Sequence, residues 1–505
     1  MQSSALLVTL VVLPAVGAAV LALVPRLEGR VATTLGATIA VAELVGAALL
    51  AIGYHPNGAV YQDASTQVLA APFGLFWRAG VDGISLLLIV LTAIVVPIAI
   101  LGAPARHRTR ASISWLLLLE AATVGSFASL DVLLFFLFFE LTLVPAYFSI
   151  AGWGDQRRGP AAAMKFFVYT LVGSAFLFVG ILVVAFLHQS QSGGALTFSL
   201  TALSSTHLSG TTGVLLVLAF TAAFAVKSPL FPFHTWSPDA YSEAPVSGSV
   251  VLAALLAKLG TYGIVRFDIT LFPHALVTVG PWLFALAIAS ILYGAVVAGG
   301  SSDLKRLLAY SSLAQMGFIV LGIVSLNQAG VSGAVLLMFN HGVVTAALFL
   351  LVGFLAKRTG SSLVTGVRGI QGPAPILAAC FTVAMLASIG LPGLNGFVSE
   401  FLVLIGFFGA EGWWAVIPTL GVVAAAIYLL WAYQQVFQGE LVTPAGTSIS
   451  DLDWRERSLL APLLAIMVVL GVYPKLVLDR IGPSVVHLLA HLHAVGLSST
   501  AIGPR

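Results

Sequence analysis

Apolar runs of about twenty residues, each closed by a short polar or Gly/Pro-rich stretch, follow one another along almost the whole chain. A helix that crosses the hydrocarbon of a bilayer needs about 20 apolar residues. The runs at 5–24, 32–53, 82–103, 113–130, 132–152, 162–187, 212–232, 245–266, 277–299, 304–325, 331–355, 375–408, 413–437 and 458–477 meet that requirement. The pattern predicts an all-α polytopic membrane protein of about fourteen transmembrane helices. Residues 5–24 are long enough to stay as a span rather than be cleaved as a signal. The run at 375–408 is too long for one straight helix and predicts a break inside it.

Two spans are interrupted beside a charge. FAVKSPLFPFHTW (224–236) carries Lys227 and then Pro229 and Pro232; LASIGLPGLNGFVSEF (386–401) carries Gly390, Pro392, Gly393 and Gly396 and then Glu400. Proline removes a backbone donor and clashes with the preceding turn. A broken span is tolerated only inside protein or beside a water-filled cavity. The interrupted helices are the seventh and the twelfth, five apart, so two five-helix units, helices 4–8 and 9–13, would run in opposite directions. Paired broken helices in inverted repeats mark the ion site of many transporters. The implied division is 1–112 (helices 1–3), 113–266 (first repeat), 277–437 (second repeat) and 438–505 (helix 14 and tail); the tail after about 480 has no assignable role.

Composition agrees with a membrane class: 59% of residues are hydrophobic and 8% charged, against about 25% charged in soluble domains. The single cysteine, Cys380, excludes a disulfide framework and a thiolate metal or iron–sulfur site in this chain, and reads as a packing residue. With so little charge and no basic patch among aromatics, nucleic-acid binding is excluded. Fourteen helices divide the lysines and arginines of the loops fifteen against five, with two of the 22 left inside the membrane. Basic loops stay in the cytoplasm, so both termini are expected on the outer face.

The two cations inside are both lysines, Lys227 and Lys258, in a chain with 16 arginines and 6 lysines. Arginine keeps its proton in proteins; a buried lysine can release it. Glu140, Lys227, Lys258, His341 and Glu400 form a candidate line of protonatable groups, with Glu120 a possible accessory. Each ionisable group at this depth costs several kcal/mol unless paired or wetted. The structural alternatives are a protonated glutamate bonded to a neighbouring helix, a Lys258 that snorkels to the interface, and a His341 that merely joins helices. His188, His234 and His274 fall near loops and carry no expected chemistry; Asp303 reads as a helix start. Lysines on the path would repel a metal cation, which points to protons as cargo. Burial lowers a lysine's proton affinity and a nearby carboxylate restores it, and Glu140 is the nearest candidate partner of Lys227 in chain order.

The stretches GVDGISLLL (80–88), FFLFFELTLVPAYFSIAGWG (135–154), AMKFFVYTLVGS (163–174), FAVKSPLFPFHTWSPDAYSEAPVSGSVVLAALLAKLG (224–260), DLKRLLAYSSLAQMGF (303–318) and LPGLNGFVSEF (391–401) resemble the antiporter-like membrane subunits of respiratory complex I. Within that family the chain is most similar to the M type, the chain 4 homologues. Glu400 stands where the L and N types and the Mrp antiporter subunits are expected to carry lysine, and no long lateral helix follows span fourteen. The resemblance implies a proton-translocating subunit of NADH:quinone oxidoreductase that has no redox chemistry of its own. It implies no cofactor in this chain, with FMN, iron–sulfur clusters and quinone in partner subunits, and L- and N-type subunits as neighbours in a bacterial inner membrane. It makes Glu140 and Lys227 a pair, Lys258 the central lysine, His341 a helix-eleven histidine and Glu400 the terminal carboxylate. The SHMG of helix ten in many M-type chains reads AQMG here, with Gln315 in place of histidine; an amide cannot carry the charge, so water would have to bridge there. An Mrp-type cation/proton antiporter, the membrane arm of a hydrogenase and a purely structural anchor are the competing readings.

Overall fold

The computed structural model describes residues 3–443 and 449–494 and is mostly helical. Among these residues twelve helices are long and apolar enough to cross a membrane, or thirteen if the pair Trp454–Val472 and Lys475–Leu492, bent by 72°, counts as one span. About fourteen were expected, and the two counts differ chiefly over 375–437. The break foreseen in 375–408 falls at Gly390–Leu394, which leaves Pro375–Ile389 with 15 residues. That is about 22 Å of helix, less than the hydrocarbon thickness. The next apolar stretch, Asn395–Phe437, runs for 43 residues, and only the short turn Gly412–Ala415 separates its two helices Asn395–Glu411 and Val416–Phe437.

Three helices form the centre. Val246–Leu271, Leu304–Val324 and Gln328–Thr359 meet protein on nearly every side, as expected of helices that are apolar all round. Close approach depends on small residues. A Cβ on Gly317 would stand 2.6 Å from the Ala287 carbonyl oxygen, and one on Gly294 2.8 Å from that of Tyr310, so Pro273–Gly299 and Leu304–Val324 pack backbone to backbone. Gly159–Ser192, Pro273–Gly299 and Val416–Phe437 lie outside and expose apolar side chains such as Phe176, Val179, Val296 and Ile427.

Ser3–Leu23 and Gly29–Gly53 flank Arg110–Ala128 at the periphery, and Gly29–Gly53 turns inward a stripe of Ala32, Gly36, Ala40, Glu43, Ala47 and Leu50. Between the second and third spans lies an element the hydrophobic pattern did not predict. It is a two-stranded antiparallel hairpin, Gln62–Ala70 with Leu75–Val81, turning through Gly74 at φ +65°. It leads into Asp82, which caps Gly83–Gly102 by accepting from Ser85 N at 2.9 Å. Lys475–Ala494 crosses the start of that helix, where Ser484 Oγ accepts from Gly83 N at 2.8 Å. The tail thus has a fold role as far as 494; its remainder lies outside the described residues.

Candidate functional site

Both interruptions and a third, at Thr142, set titratable groups inside the protein. The Gly210–Lys227 helix ends at Lys227, and the chain passes through Ser228–Thr235 into Trp236–Glu243. The end is tied down by Trp236 Nε1, which donates to the Val226 carbonyl at 2.9 Å, and by Leu230 N, which donates to that of Ala225 at 2.9 Å. Lys227 is 1% exposed. Its ammonium donates to Thr142 Oγ1 at 2.9 Å and stands 4.5 Å from the centre of the Phe139 ring. Thr142 separates Val132–Leu141 from Leu143–Trp153. Pro145 has no N–H to offer the Leu141 carbonyl, which loosens the helix at that point. Glu140 lies two residues before Thr142, half-buried, and within electrostatic reach of Lys227, but makes no ion pair with it within 4.0 Å.

Lys258 sits on a seven-residue α-helical piece, Ala257–Gly263, held between two π-helical turns, Leu252–Leu256 and Ile264–Asp268. π turns inside helices accompany functional sites. The side chain is fully buried, which removes the snorkelling alternative. Its Nζ donates to the Ala253 carbonyl at 2.6 Å and lies 2.8 Å from His341 Nδ1. His341 Nε2 lies 3.1 Å from Thr345 Oγ1 on the same helix. When the ammonium donates to Nδ1, the ring proton rests on Nε2 and points to the threonine.

Glu400 follows the second break. Gly390 there has φ +79°, which favours glycine, and a Cβ on it would stand 2.5 Å from Glu400 Oε2, so any larger residue would push the carboxyl aside. Gln315 Nε2 donates to Glu400 Oε1 at 2.8 Å. The amide that replaces the expected histidine therefore addresses the carboxyl directly. One turn earlier on Gln315's helix, Ser311 Oγ accepts from Tyr428 OH at 2.8 Å.

Glu120 does not join these groups. It is fully buried on Arg110–Ala128 and faces Glu43 of Gly29–Gly53, a residue the sequence reading passed over. None of the four carboxyl oxygens finds a hydrogen-bond partner among the described residues. Glu43 stands midway along the span read at 32–53, and that depth alone was the signal. Arg266, at the end of the run read at 245–266, is buried in the Val246–Leu271 helix, donating to Asp82 Oδ1 at 2.7 Å and to Tyr262 OH at 3.0 Å. A buried cation needs such a partner. His234 likewise is buried within the first break, stacked on Phe231, with Nδ1 unpartnered among the described residues. Asp303 caps Leu304–Val324, accepting from Arg306 N at 3.0 Å.

The family model for the transmembrane region of the NADH:quinone oxidoreductase/Mrp antiporter proteins matches residues 129–427, which hold Glu140, Lys227, Lys258, Gln315, His341 and Glu400. NADH-quinone oxidoreductase subunit M of Rhodobacter capsulatus is 40% identical over 497 residues, covering 95% of this chain and 96% of that protein. A chain of the respiratory complex I of Thermus thermophilus superposes with a TM-score of 0.87 at 34% identity, covering 96% of this chain and 99% of that one. A chain of the Mrp complex from a Dietzia species superposes at 0.82 with 20% identity over 98% of this chain and all of that one, which is a likeness of fold. The match over residues 129–427 and the likeness along nearly the full length, in keeping with helices buried on nearly every side and a span broken beside the buried Lys227, make the chain a member of the NADH:quinone oxidoreductase/Mrp antiporter membrane-subunit family.

Proposed function

We propose that the chain is a proton-translocating subunit in the membrane arm of an NADH:quinone oxidoreductase, with electron transfer, FMN, iron–sulfur clusters and quinone in partner subunits and L- and N-type chains beside it. The observation that carries the relay is the Lys258–His341 contact. A lysine amine with no exposed surface, 2.8 Å from an imidazole, is a pair between which one proton can move. Lys227 with Glu140 forms the uptake end and Glu400 with Gln315 the release end. In this reading helices 4–8 and 9–13 are inverted repeats, and the basic loops face the cytoplasm with both termini outside.

The mechanism follows from electrostatics. With the Glu140 carboxylate close, Lys227 holds its proton; as that partner moves away, the charged form loses support and the proton passes on. Opening an ion pair in a partly dry site changes the energy by several kcal/mol. That matches the scale of moving one charge against a membrane potential, about 2.3 kcal/mol per 100 mV. Thr142 gives the ammonium somewhere to rest while the pair is apart. The test is NADH-driven proton uptake by inverted vesicles. Lys258→Met and Glu140→Gln are expected to abolish most of it while the complex still assembles. Undiminished pumping by both variants would leave only a structural anchor. Co-purification with small antiporter subunits, instead of flavin and iron–sulfur polypeptides, would favour the Mrp-type reading.

A further inference from the structure

Two turns beyond Lys258 on the same helix, about 12 Å along its axis, stands the buried Arg266. Its guanidinium is held on three sides. Nη2 donates to Asp82 Oδ1 at 2.7 Å, Nε to Tyr262 OH at 3.0 Å and Nη1 to Tyr61 OH at 3.3 Å. Tyr262 lies one turn beyond Lys258 and donates in its turn to the Phe127 carbonyl at 2.9 Å. The rings of Phe127 and Phe135 pack against that of Tyr262, with centroids 5.1 and 6.4 Å away, so the ground between Tyr262 and its neighbours is aromatic.

On its other side Arg266 meets a cavity of about 120 Å³, which it lines together with Tyr61, Asp82, Thr201, His487 and His491. Thr201 and His487 are exposed, so the cavity reaches the surface, on the face where the hairpin and the tail helix lie. The proposed topology puts that face outside. Arg266 thus stands between a polar outer cavity and the central lysine. A buried ion pair adds little net stability over an apolar pair of the same shape, so stability is a weak reason for one at this place. The orientation of the hydrogen bonds supplies a better one. A proton moves along hydrogen bonds only where each member accepts one and donates another, and a guanidinium has five donors and no acceptor. The Tyr262 hydroxyl, which accepts from Arg266, already gives its proton to a carbonyl. Every bond in the chain therefore points away from the cation, and its fixed charge repels an approaching proton, as arginines do in selective pores.

We propose that Arg266, fixed by Asp82 and Tyr262, is a barrier that separates the outer cavity from Lys258 and stops protons from leaking back into the relay. This rests on the relay proposed above, in which release runs through Glu400 and the first repeat takes up protons from the opposite face. No proton is transferred at Arg266. Asp82 and Tyr262 are positioning residues that keep the cation across the gap.

The experiment uses the purified complex in proteoliposomes, without NADH, and measures passive proton entry driven by a potassium diffusion potential set with valinomycin. The double variant Asp82→Asn with Arg266→Gln removes both charges together, so no carboxylate is left buried and unpaired, and the asparagine oxygen can still accept from Ser85 N. Its proton conductance is expected to rise about tenfold, the change that about 1.4 kcal/mol off a barrier produces. A purely structural tie would weaken assembly without raising conductance. Adding Lys258→Met is expected to return the conductance to the parental level, because the leak passes that amine. Parental conductance in the double variant, or a leak that persists in the triple one, overturns the barrier. If the double variant does not assemble, Arg266→Lys decides on its own. It keeps a cation beside Asp82, but one that can release its proton; raised conductance is expected, and parental conductance overturns the idea. NADH-driven uptake by Lys258→Met alone tests the relay separately. If that variant pumps normally, the relay itself is at fault; if it is dead while the Arg266 variants stay tight, only the barrier is.

Discussion

A single hydroxyl illustrates what the chemistry requires of individual side chains. Thr142 Oγ1 is the hydrogen-bond acceptor of the Lys227 ammonium, at 2.9 Å, and in turn donates to the Phe139 carbonyl at 2.7 Å. Hydrogen bonds to charged groups contribute about 1.5–3 kcal/mol, and removing one partner leaves the other desolvated. Thr142→Val keeps the shape and deletes the acceptor. It is expected to cut NADH-driven proton uptake about tenfold or more, in line with about 1.4 kcal/mol per decade, while Thr142→Ser stays near the parent. Equal uptake by the valine and serine variants would mean that Lys227 does not depend on this contact. Thr142 was not legible in the sequence, because a threonine inside an apolar helix usually bonds its own preceding turn. Lys227 and Lys258 were legible, since a cation amid apolar residues stands out whatever the fold. Glu43 was equally visible in principle; what was missing was the knowledge that its helix turns inward at that residue.

Among the elements, the breaks were the most readable, since proline and glycine act through the backbone and need no tertiary context. The helix count was the least readable where apolar residues run on without punctuation, as from Asn395 to Phe437. The hairpin Gln62–Val81 was missed because its register depends on partners across the strand and on a turn through Gly74. Helix starts also borrow caps from afar. Pro375–Ile389 has no side-chain cap of its own, and Asp451 supplies one, accepting from Ile376 N at 2.9 Å and Leu377 N at 3.0 Å. Burial pushes the Asp451 carboxyl up, but the amides of Ile376, Leu452 and Leu377 and the charge of Arg457 more than offset it, and the group lies below the usual aspartate range. A depressed carboxyl contributes stability that is present above its unfolded value, about 3.9, and lost as pH falls through the folded value. Asp451→Asn is therefore expected to lower the thermal midpoint of the solubilised complex at pH 7. The gap to the parent should close as pH falls below about 4. A gap of the same size at both pH values would assign the effect to shape instead of charge.

On the scale of the whole molecule, orientation is the property most open to measurement. The proposed topology puts the loops at Arg106 and Arg157 in the cytoplasm and the loop at Asn57 outside, and all three residues are exposed. With Cys380 first changed to serine, an impermeant maleimide should reach Asn57→Cys in right-side-out vesicles. It should reach Arg106→Cys and Arg157→Cys only in inverted ones. The same face for all three would overturn the assignment of sides. Class, membrane character and family were readable from residues 80–437 alone, because hydropathy and motif spacing are local. What was not readable is which distant residues meet. Gln315 and Glu400 are 85 positions apart, and their 2.8 Å contact depends on how three helices pack.

The all-round burial of Val246–Leu271 and Gln328–Thr359 bears on how the protein meets its bilayer. Lipid tails never reach Lys258 or His341, so the medium that sets their proton affinities is built from the chain's own atoms. The apolar side chains open to the surroundings lie on the outer helices, such as Gly159–Ser192 and Pro273–Gly299, and a helix that meets lipid answers a change of hydrocarbon thickness by tilting. In the proposed relay the interior would thereby be an insulated conductor whose sheath, rather than its core, adapts to the membrane.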